Sequence, residues 1–433
     1  MVLRWHRGFL DPHFYVPWLL IILGGLVMLY SVSSPPPLEY GQEGEIAAYT
    51  ISRDFFTRQL IWAIVGFLAM VVGATVPFWI YKDYLSWILY GVGLLLLLLL
   101  LILPPMRGDT QRWLAIGPVG LQPSELFKVI LIFMLASVLA AQRGDPNRLS
   151  LILITLVLVL PPTFLVLKQP DLGTALVFFG IMIPMLIWRG LDLRRVLLMA
   201  APGLSGFIIL YGEASSGNVE GMVRVLWGLF MVGLFLMTLY YREMAVRERI
   251  VFFLISIMVG LAVPAVYDSL LGYQQKRIQV FFDPGMDKLG AGYQIFQSKV
   301  AIGSGGVLGR GYLQGTQKGL AFLPARHTDF IFSVVGEEFG FLGALVLLGL
   351  YAYLIYQGYH LALKARHPFG QLLAVGGSSL LLFHVFVNVG MTVGLMPVTG
   401  LPLPGFSFGG SVLVAVSFLI GVQMNISRNW GRY

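Results

Sequence analysis

The sequence contains no cysteine and few charged residues. Without cysteine, disulfides, zinc–thiolate sites and thiol chemistry are excluded. Charged residues make up 12% and hydrophobic residues 57% of the 433 residues, whereas soluble domains average about 25% and about 45–50%. This composition provides too little polar surface to coat a water-soluble protein. A soluble enzyme is therefore excluded.

Long apolar runs occupy the sequence instead. Residues Leu94–Leu101 are eight consecutive leucines, which excludes the alternating pattern of an outer-membrane barrel. Because a helix needs about 17–25 apolar residues to cross a bilayer, the runs predict about twelve spans. The expected fold class is all-α, a polytopic transmembrane helical bundle in which residues 1–433 form a single integral membrane domain. We expect the spans near residues 16–33, 59–80, 84–103, 124–141, 149–167, 171–188, 195–211, 222–241, 250–271, 339–359, 371–394 and 409–426.

The net charge of +8 is explained by membrane topology, because cytoplasmic loops of membrane proteins are enriched in Lys and Arg. One set of alternating loops holds most of the short-loop Lys and Arg residues, and the positive-inside rule places these loops and both termini in the cytoplasm. We therefore expect no nucleic-acid partner. The opposite, outer side carries three segments, near residues 104–123, 272–338 and 396–408. The segment 272–338 is too long to be structureless, so we expect short helices within it and chemistry beside it.

Two motifs open predicted spans on the outer side. In QPSELFK (122–128), Pro123 favours the first helical position and puts Glu125 and Lys128 on one helix face, inside the membrane boundary. A wall of a substrate site is favoured over a merely neutralised pair. In QPDLGT (169–174), the favoured role of Asp171 is to cap the helix that follows. The alternative is that the helix N-termini on this side bind a diphosphate.

The stretch LPARHTDFIF (323–332) places Asp329 between a cation and large apolar side chains. Burial raises the pKa of an aspartate and makes it a better base, whereas Arg326 lowers it, so the sign stays open. Glu337 and Glu338 follow, with capping favoured over a metal site with Asp329. Basic residues of the loop, among them Lys276, Arg277 and Arg326, suit an anionic lipid-linked substrate, although an ordinary solvated basic loop is the alternative. His384 and Asn388 are interpreted as interhelical hydrogen-bonding residues, with no catalytic role.

Five motifs together resemble the SEDS family, the shape, elongation, division and sporulation proteins. They are QPSELFK (122–128), QPDLGT (169–174), GAGYQIFQSKVAIGSGG (290–306), LPARHTDFIF (323–332) and PVTGLPLPGFSFGGS (397–411). Their order and spacing match across most of the chain. The GTQ at 315–317 is more similar to the elongation branch than to the division branch.

The resemblance implies an inverting peptidoglycan glycosyltransferase that polymerises lipid II at the outer face of the bacterial cytoplasmic membrane. It implies Asp329 as the catalytic residue, with Glu125 and Lys128 lining the same cavity. The expected partners are lipid II, a class B penicillin-binding protein and the elongation-complex proteins. No cofactor is obligatory, and a divalent cation, Mg²⁺ or Mn²⁺, stays open as an aid to diphosphate departure.

The chain departs from the family pattern in two respects. Family members have ten spans, so the three apolar segments between Arg195 and Leu271 predict an inserted helical pair, in the region 212–271, ahead of the large extracytoplasmic loop 272–338. Phe408 and Gly405 replace a usual tyrosine and a bulkier apolar residue. The competing functions are a lipid II flippase or other transporter, a division-type polymerase and a non-catalytic scaffold.

Overall fold

The structure is a computed structural model of the chain. It describes residues 10–33, 43–103, 112–116, 119–142, 144–147, 149–215, 219–240, 244–270, 272–283, 291–315 and 327–429.

Helices dominate the described residues, because lipid forces each backbone polar group to be satisfied within its own helix. The helices are α1 (Pro12–Ser33), α2 (Glu43–Thr75), α3 (Tyr84–Ile102), α4 (Pro123–Ala141), α5 (Leu149–Lys168), α6 (Leu172–Arg189), α7 (Leu193–Ala214), α8 (Glu220–Tyr240), α9 (Val246–Asp268), α10 (Gly272–Phe282), α11 (Ala291–Gly305), α12 (Ile331–Lys364), α13 (Pro368–Thr392) and α14 (Gly410–Asn429). A short 3-10 helix, Phe78–Tyr81, follows α2, and two antiparallel strands, β1 (Leu114–Ile116) and β2 (Val119–Leu121), precede α4.

Twelve of the helices in the described ranges are long and apolar enough to cross a membrane. They coincide with the twelve predicted spans, so the chain is a multi-span membrane protein and the predicted fold class is confirmed. Pro123 is the first residue of α4, as its preference for that position predicts. The predicted long segment 272–338 contains α10 and α11 and also the first residues of α12.

The chain divides into two compact units. The first comprises Met1–Gly144, Leu151–Arg189 and Gln297–Tyr433. Its central helices are α4, α13 and α14, in which 78%, 78% and 83% of the residues of the most apolar stretch are buried. In α2, α3 and α12 this share is at most 28%. Lipid-facing helices therefore surround a packed centre, and α14 lies directly against α2, where the Gly421 Cα approaches the backbone of Met70.

The second unit comprises Asp145–Ser150 and Gly190–Phe296. It contains α7, α8 and α9, whose shared core includes Leu198, Met231 and Leu234. Within it, Arg195 Nη1 lies 3.7 Å from Glu248 Oε2, and both side chains are nearly buried. The three apolar helices predicted before Leu271 are thus present. That two of them form an insertion relative to the family stays a prediction.

Helix α12 is broken at Gly340, whose φ of 63° and ψ of −160° are not helical. A loop that includes Gly306 and Gly311 satisfies the backbone groups on both sides of the break. The amides of Phe341 and Leu342 donate to the carbonyls of Gly306 and Val307 at 2.9 and 3.1 Å, and the amides of Arg310 and Gly311 donate to the carbonyls of Glu337 and Glu338 at 2.9 and 3.0 Å. The predicted start of this span, near residue 339, coincides with the break, and the preceding residues Ile331–Phe339 form a separate short helical segment that carries the Asp329 turn.

Candidate active site

A cavity of about 660 Å³ lies in the first unit and is bounded by α2, the β-hairpin, the turn before α12, the segment after α13 and the start of α14. The lining residues are Arg58, Ile61, Trp62, Val65, Trp113, Gly120, Gln122, His327, Thr328, Asp329, Gly400, Pro402, Phe408, Gly409, Gly410, Ser411 and Val412. Three of the five motifs of the sequence analysis contribute to this wall: QPSELFK, LPARHTDFIF and PVTGLPLPGFSFGGS.

Asp329 lies on this wall, in the turn that precedes α12, and its side chain is partly buried. Burial raises the pKa of the Asp329 carboxyl, a hydrogen bond with Thr328 lowers it, and the negative charge of Asp171 raises it; the net pKa is about 6, against an ordinary value of 3.8. The direction of the Asp329 pKa shift, which the sequence left open, is therefore upward. A carboxylate with a pKa near 6 is ionised at neutral pH and is a stronger proton acceptor than an ordinary aspartate.

Helix α2 gives the cavity a cationic end and an apolar side. Arg58, Ile61, Trp62 and Val65 all line the cavity, and their spacing of three, four and seven residues puts them on one helix face. Ile61 and Val65 are also exposed on the lipid-facing surface of this helix, at 61% and 39%. The arrangement suits an amphiphile with an anionic head and an apolar chain.

Phe55 and Gln59, near the middle of α2, also hold the cavity wall together. The His327 ring stacks on Phe55, with centroids 4.2 Å apart, and Phe408 packs edge-on against Phe55 at 5.1 Å. Gln59 donates to the carbonyl of Ser407 and accepts from the amide of Gly409, both at 3.2 Å. The Asp329 turn and the segment before α14 are thereby attached to the same helix.

Gly405 explains one departure from the family pattern. Its φ is +81°, and a Cβ atom there would lie 2.6 Å from the Trp18 ring. A bulkier residue would require the ring to move, so Trp18 on α1 takes the space that a larger side chain would fill.

Glu125 and Lys128 form the ion pair that their spacing predicts. Lys128 Nζ lies 2.6 Å from Glu125 Oε1, with side-chain exposures of 1% and 4%. Thr174 also reaches the Glu125 carboxylate. The pair is not among the residues that line the cavity. Instead, Lys128 contacts His384, and His384 contacts the carbonyl of Pro402, which does line it. The resemblance placed the pair on the wall itself; in the structure it lies one layer behind.

Asp171 caps α6, as its position in the motif favours. Its Oδ1 accepts the amide of Thr174 at 3.1 Å, and its Oδ2 accepts from the Thr174 hydroxyl and from Gln122 Nε2, both at 3.0 Å. Because Gln122 lines the cavity and the charge of Asp171 acts on Asp329, the capping residue also contributes to the electrostatics of the site. Direct binding of substrate by Asp171 stays a prediction.

Of the three basic residues predicted to bind substrate from the long loop, the structure describes the side chain of one, Lys276. Arg326 lies outside the described residues, and so does the side chain of Arg277. Lys276 is exposed on α10, in the second unit. Their roles in substrate binding stay predictions.

Asp329 and Glu338, which were considered together as possible metal ligands, have different surroundings: Asp329 lines the cavity, whereas Glu338 contacts α1. Glu338 accepts hydrogen bonds of 2.6 and 2.8 Å from Ser31 on α1. Within the described part of the chain, no group of three or more His, Asp or Glu side chains could hold a metal ion. Participation of a divalent cation in the reaction stays a prediction.

Sequence reasoning did not single out Arg58, Trp113, Gln122 and His327 as lining residues. Gln122 and His327 lie within the recognised motifs, so the motifs themselves were the available signal. Arg58 carries a weaker signal, since it is a cation shortly before a long apolar run. Trp113 follows Arg112, which holds the start of α6 by donating to the carbonyls of Gln169, at 2.6 Å, and Pro170.

Fold and site together define a class: a helical, multi-span membrane protein with an acidic residue in a cavity that has a cationic end and an apolar side. The family model described as "Cell cycle protein", which covers FtsW, RodA and SpoVE, matches residues 13–219 and 227–431. The chain therefore belongs to the FtsW/RodA/SpoVE family, also called the SEDS family. The family predicted from the motifs is confirmed.

Relatives match over nearly the whole chain. The chain is 34% identical over 423 residues to the peptidoglycan glycosyltransferase MrdB of Escherichia coli (strain K12), covering 98% of this chain and 94% of that protein. It is 32% identical over 437 residues to the peptidoglycan glycosyltransferase RodA of Treponema pallidum (strain Nichols), covering 97% and 98%. A probable peptidoglycan glycosyltransferase FtsW of Geobacter metallireducens is 33% identical over 412 residues, covering 93% and 90%.

Two solved structures share the fold. A chain from "Structural coordination of polymerization and crosslinking by a peptidoglycan synthase complex" superposes with a TM-score of 0.67 and 29% identity, covering 99% of this chain and 100% of that one. The crystal structure of the Thermus thermophilus rod shape determining protein RodA superposes with a TM-score of 0.59 and 26% identity, covering 98% of each chain.

Proposed function

We propose that this chain is a peptidoglycan glycosyltransferase that polymerises lipid II into glycan strands, with Asp329 as general base. The observation that carries the proposal is the position of Asp329, a carboxyl with a pKa of about 6, on the wall of a cavity that also has a cationic end and an apolar side. The relatives' names supply the reaction class, and this geometry supplies its chemistry.

In the proposed reaction, ionised Asp329 accepts the proton of the 4-hydroxyl of the acceptor sugar. The hydroxyl oxygen attacks the anomeric carbon of the donor strand and forms the new glycosidic bond, while the bond to undecaprenyl diphosphate breaks and the diphosphate keeps the bonding electrons. A single displacement inverts the configuration at the anomeric carbon. Asp329 then returns the proton to solvent.

Cations near the cavity offset the charge of the departing diphosphate in this proposal. Arg58 lines the wall at the cationic end of the α2 face, and Ile61, Trp62 and Val65 receive the isoprenoid chain. Lys128, held by Glu125, acts from one layer behind, and Arg326 is the further cation that the sequence offers. No cofactor is obligatory in this proposal, and a divalent cation, Mg²⁺ or Mn²⁺, stays open as an aid to diphosphate departure. Loss of polymerisation on chelation with EDTA, restored by Mg²⁺ or Mn²⁺, would indicate that the cation takes part.

The proposed orientation puts both termini in the cytoplasm and the cavity on the outer face, where the positive-inside rule places the large loop. By analogy with the peptidoglycan synthase complex whose chain shares the fold, a class B penicillin-binding protein is the proposed partner. The elongation role is favoured over the division role by the GTQ motif at 315–317 and by the MrdB and RodA relatives, although FtsW relatives also match.

The test uses the purified full-length protein, with and without a class B penicillin-binding protein, in liposomes that contain lipid II. Glycan polymer should form and be absent with Asp329→Asn at equal protein level. The alternative, a lipid II flippase, predicts transfer of lipid II between leaflets without polymer. Polymerisation by purified Asp329→Asn would falsify the assignment of the base.

A further inference from the structure

Helix α13 carries two polar side chains that point into the protein near the cavity. His384 and Asn388 are four residues apart, so they lie on the same helix face, and both are fully buried. Buried polar groups cost free energy unless they are hydrogen-bonded. Their bonding partners therefore explain what these two residues do.

Asn388 joins two segments that border the cavity. Its Nδ2 donates to the backbone carbonyl of Asp329 at 3.0 Å and to that of Leu401 at 2.8 Å. An amide nitrogen has two N–H donors, so both hydrogen bonds can form at once. Asp329 and the neighbours of Leu401, Gly400 and Pro402, all line the cavity. One side chain thus fixes the backbone of the proposed base relative to the opposite segment.

His384 joins the same segment to the ion pair. Its Nδ1 lies 3.1 Å from the carbonyl oxygen of Pro402, and its Nε2 lies 3.2 Å from Lys128 Nζ. A carbonyl oxygen can only accept, so the proton of the ring must be on Nδ1. Nε2 then has a free lone pair and accepts from the Lys128 ammonium group. The geometry thus requires a neutral His384 in the Nδ1–H tautomer.

We infer that His384 and Asn388 are positioning residues that hold the Asp329 backbone, the Leu401–Pro402 segment and Lys128 in one fixed arrangement. Both act on the wall from behind, through backbone carbonyls and through Lys128. The kinetic part of this inference rests on the proposed function, whereas the tautomer depends only on the structure. In sequence, the two residues suggested only a bond between helices; the structure identifies the segments that they connect.

The kinetic test compares Asn388→Leu with Asn388→Gln, in the polymerisation assay with the partner present. Leucine has a similar volume and no donor, so the Asp329 carbonyl loses its restraint. A misplacement of about 1 Å costs roughly 100-fold in rate, and we expect a loss of that order in kcat, with KM within about twofold because the lining side chains remain. Asn388→Gln keeps both donors and should restore part of the rate.

Ser379→Ala is the matched control, because Ser379 is a buried residue of the same helix that does not line the cavity. Its hydroxyl bonds to the carbonyl of Val375 on α13 and to the Tyr359 hydroxyl on α12. It should leave kcat unchanged. Equal kcat for Asn388→Leu, Ser379→Ala and the unsubstituted protein overturns the positioning role. So does equal loss in the Leu and Gln variants when both unfold at the same temperature as the unsubstituted protein. If the unsubstituted protein itself makes no polymer, the proposed function fails, and the tautomer still tests the arrangement.

The tautomer is measured by NMR on protein with isotope-labelled histidine. The chain has six histidines, and the His384→Gln spectrum identifies the His384 signals by their loss. We expect ring carbon and nitrogen shifts of a neutral Nδ1–H imidazole at pH 7. Lys128→Met should move the Nε2 signal, because it removes the donor. An Nε2–H tautomer or an imidazolium at His384 overturns the inference regardless of activity.

Discussion

Lys128 Nζ lies 2.6 Å from Glu125 Oε1 inside α4, and both side chains are almost completely buried. Removing one partner of such a pair leaves an uncompensated charge, which costs about 3–5 kcal/mol. We therefore expect Lys128→Met to lower the unfolding temperature of the purified protein markedly. The double substitution Glu125→Gln with Lys128→Met should recover most of that loss, since neither position of the pair then carries a charge.

The same pair of variants separates stability from function. If Lys128 contributes its charge to the reaction, the double variant is stable but makes little glycan polymer. Full polymerisation by the stable double variant would show that the pair has a purely structural role. Thermal unfolding in detergent and the lipid II assay are run on the same preparations.

Asp329 should show a trade-off between stability and activity. The pKa of this carboxyl is raised from 3.8 to about 6, chiefly by burial, so the folded state holds the proton more tightly than the unfolded state does. Stability is therefore lost as the pH rises from about 4 to about 6, a difference of up to about 3 kcal/mol. Asp329→Asn should remove this cost, so it should unfold at a higher temperature at pH 7 while making no polymer.

The rate should depend on pH in the same window. Below pH 6 the general base is protonated, so kcat should fall about tenfold for each further pH unit. At pH 5 the unfolding temperatures of Asp329→Asn and the unsubstituted protein should lie closer together than at pH 7. A rate that stays constant from pH 7 to pH 5 would contradict the role of Asp329 as the base.

Asp171 provides an independent way to shift this profile. Its negative charge raises the pKa of Asp329, so Asp171→Asn should move the acid limb of the rate profile to lower pH. Asparagine caps helices about as well as aspartate does, so α6 should keep its start. The measurement is the pH at half-maximal kcat. An unchanged midpoint, with unchanged stability, would show that the two carboxyls do not interact.

The spans were predictable because the physical rule behind them is local. Lipid leaves a continuous apolar run such as Leu94–Leu101 few alternatives to a helix, and Pro123 marks a helix start by its own geometry. The motif was enough to make Asp329 a candidate catalytic residue, a role that stays a prediction, and the structure places it on the cavity wall. Its raised pKa was not predictable, because desolvation depends on packing by distant parts of the chain, and a motif does not contain them.

Contacts between distant segments were the part that sequence could not provide. Arg58 lines the same cavity as Asp329, although 271 positions separate them. His384 and Asn388 were interpreted as interhelical hydrogen-bonding residues. His384 does contact Lys128 on another helix, but the other partners are the backbone carbonyls of Asp329, Leu401 and Pro402 in non-helical segments, which the sequence pattern does not reveal. The break in α12 could not be predicted either, because the groups that hydrogen-bond to the backbone on both sides of it come from residues 306–311.

Gly340 should be far less tolerant of substitution than another glycine of the same helix. Its φ of 63° with ψ of −160° is a conformation that costs other residues about 1–3 kcal/mol, and a Cβ atom there would lie 2.6 Å from the carbonyl oxygen of Val307, which is backbone and cannot rotate away. We expect Gly340→Ala to lower the unfolding temperature and to reduce polymerisation, because the break sets the direction of the segment that carries Asp329. Gly349→Ala is the control: nothing lies within 4 Å of a Cβ atom there, and alanine favours helix by about 1 kcal/mol. Equal unfolding temperatures and equal rates for the two variants would mean that α12 can straighten without cost and that the break does not determine the site.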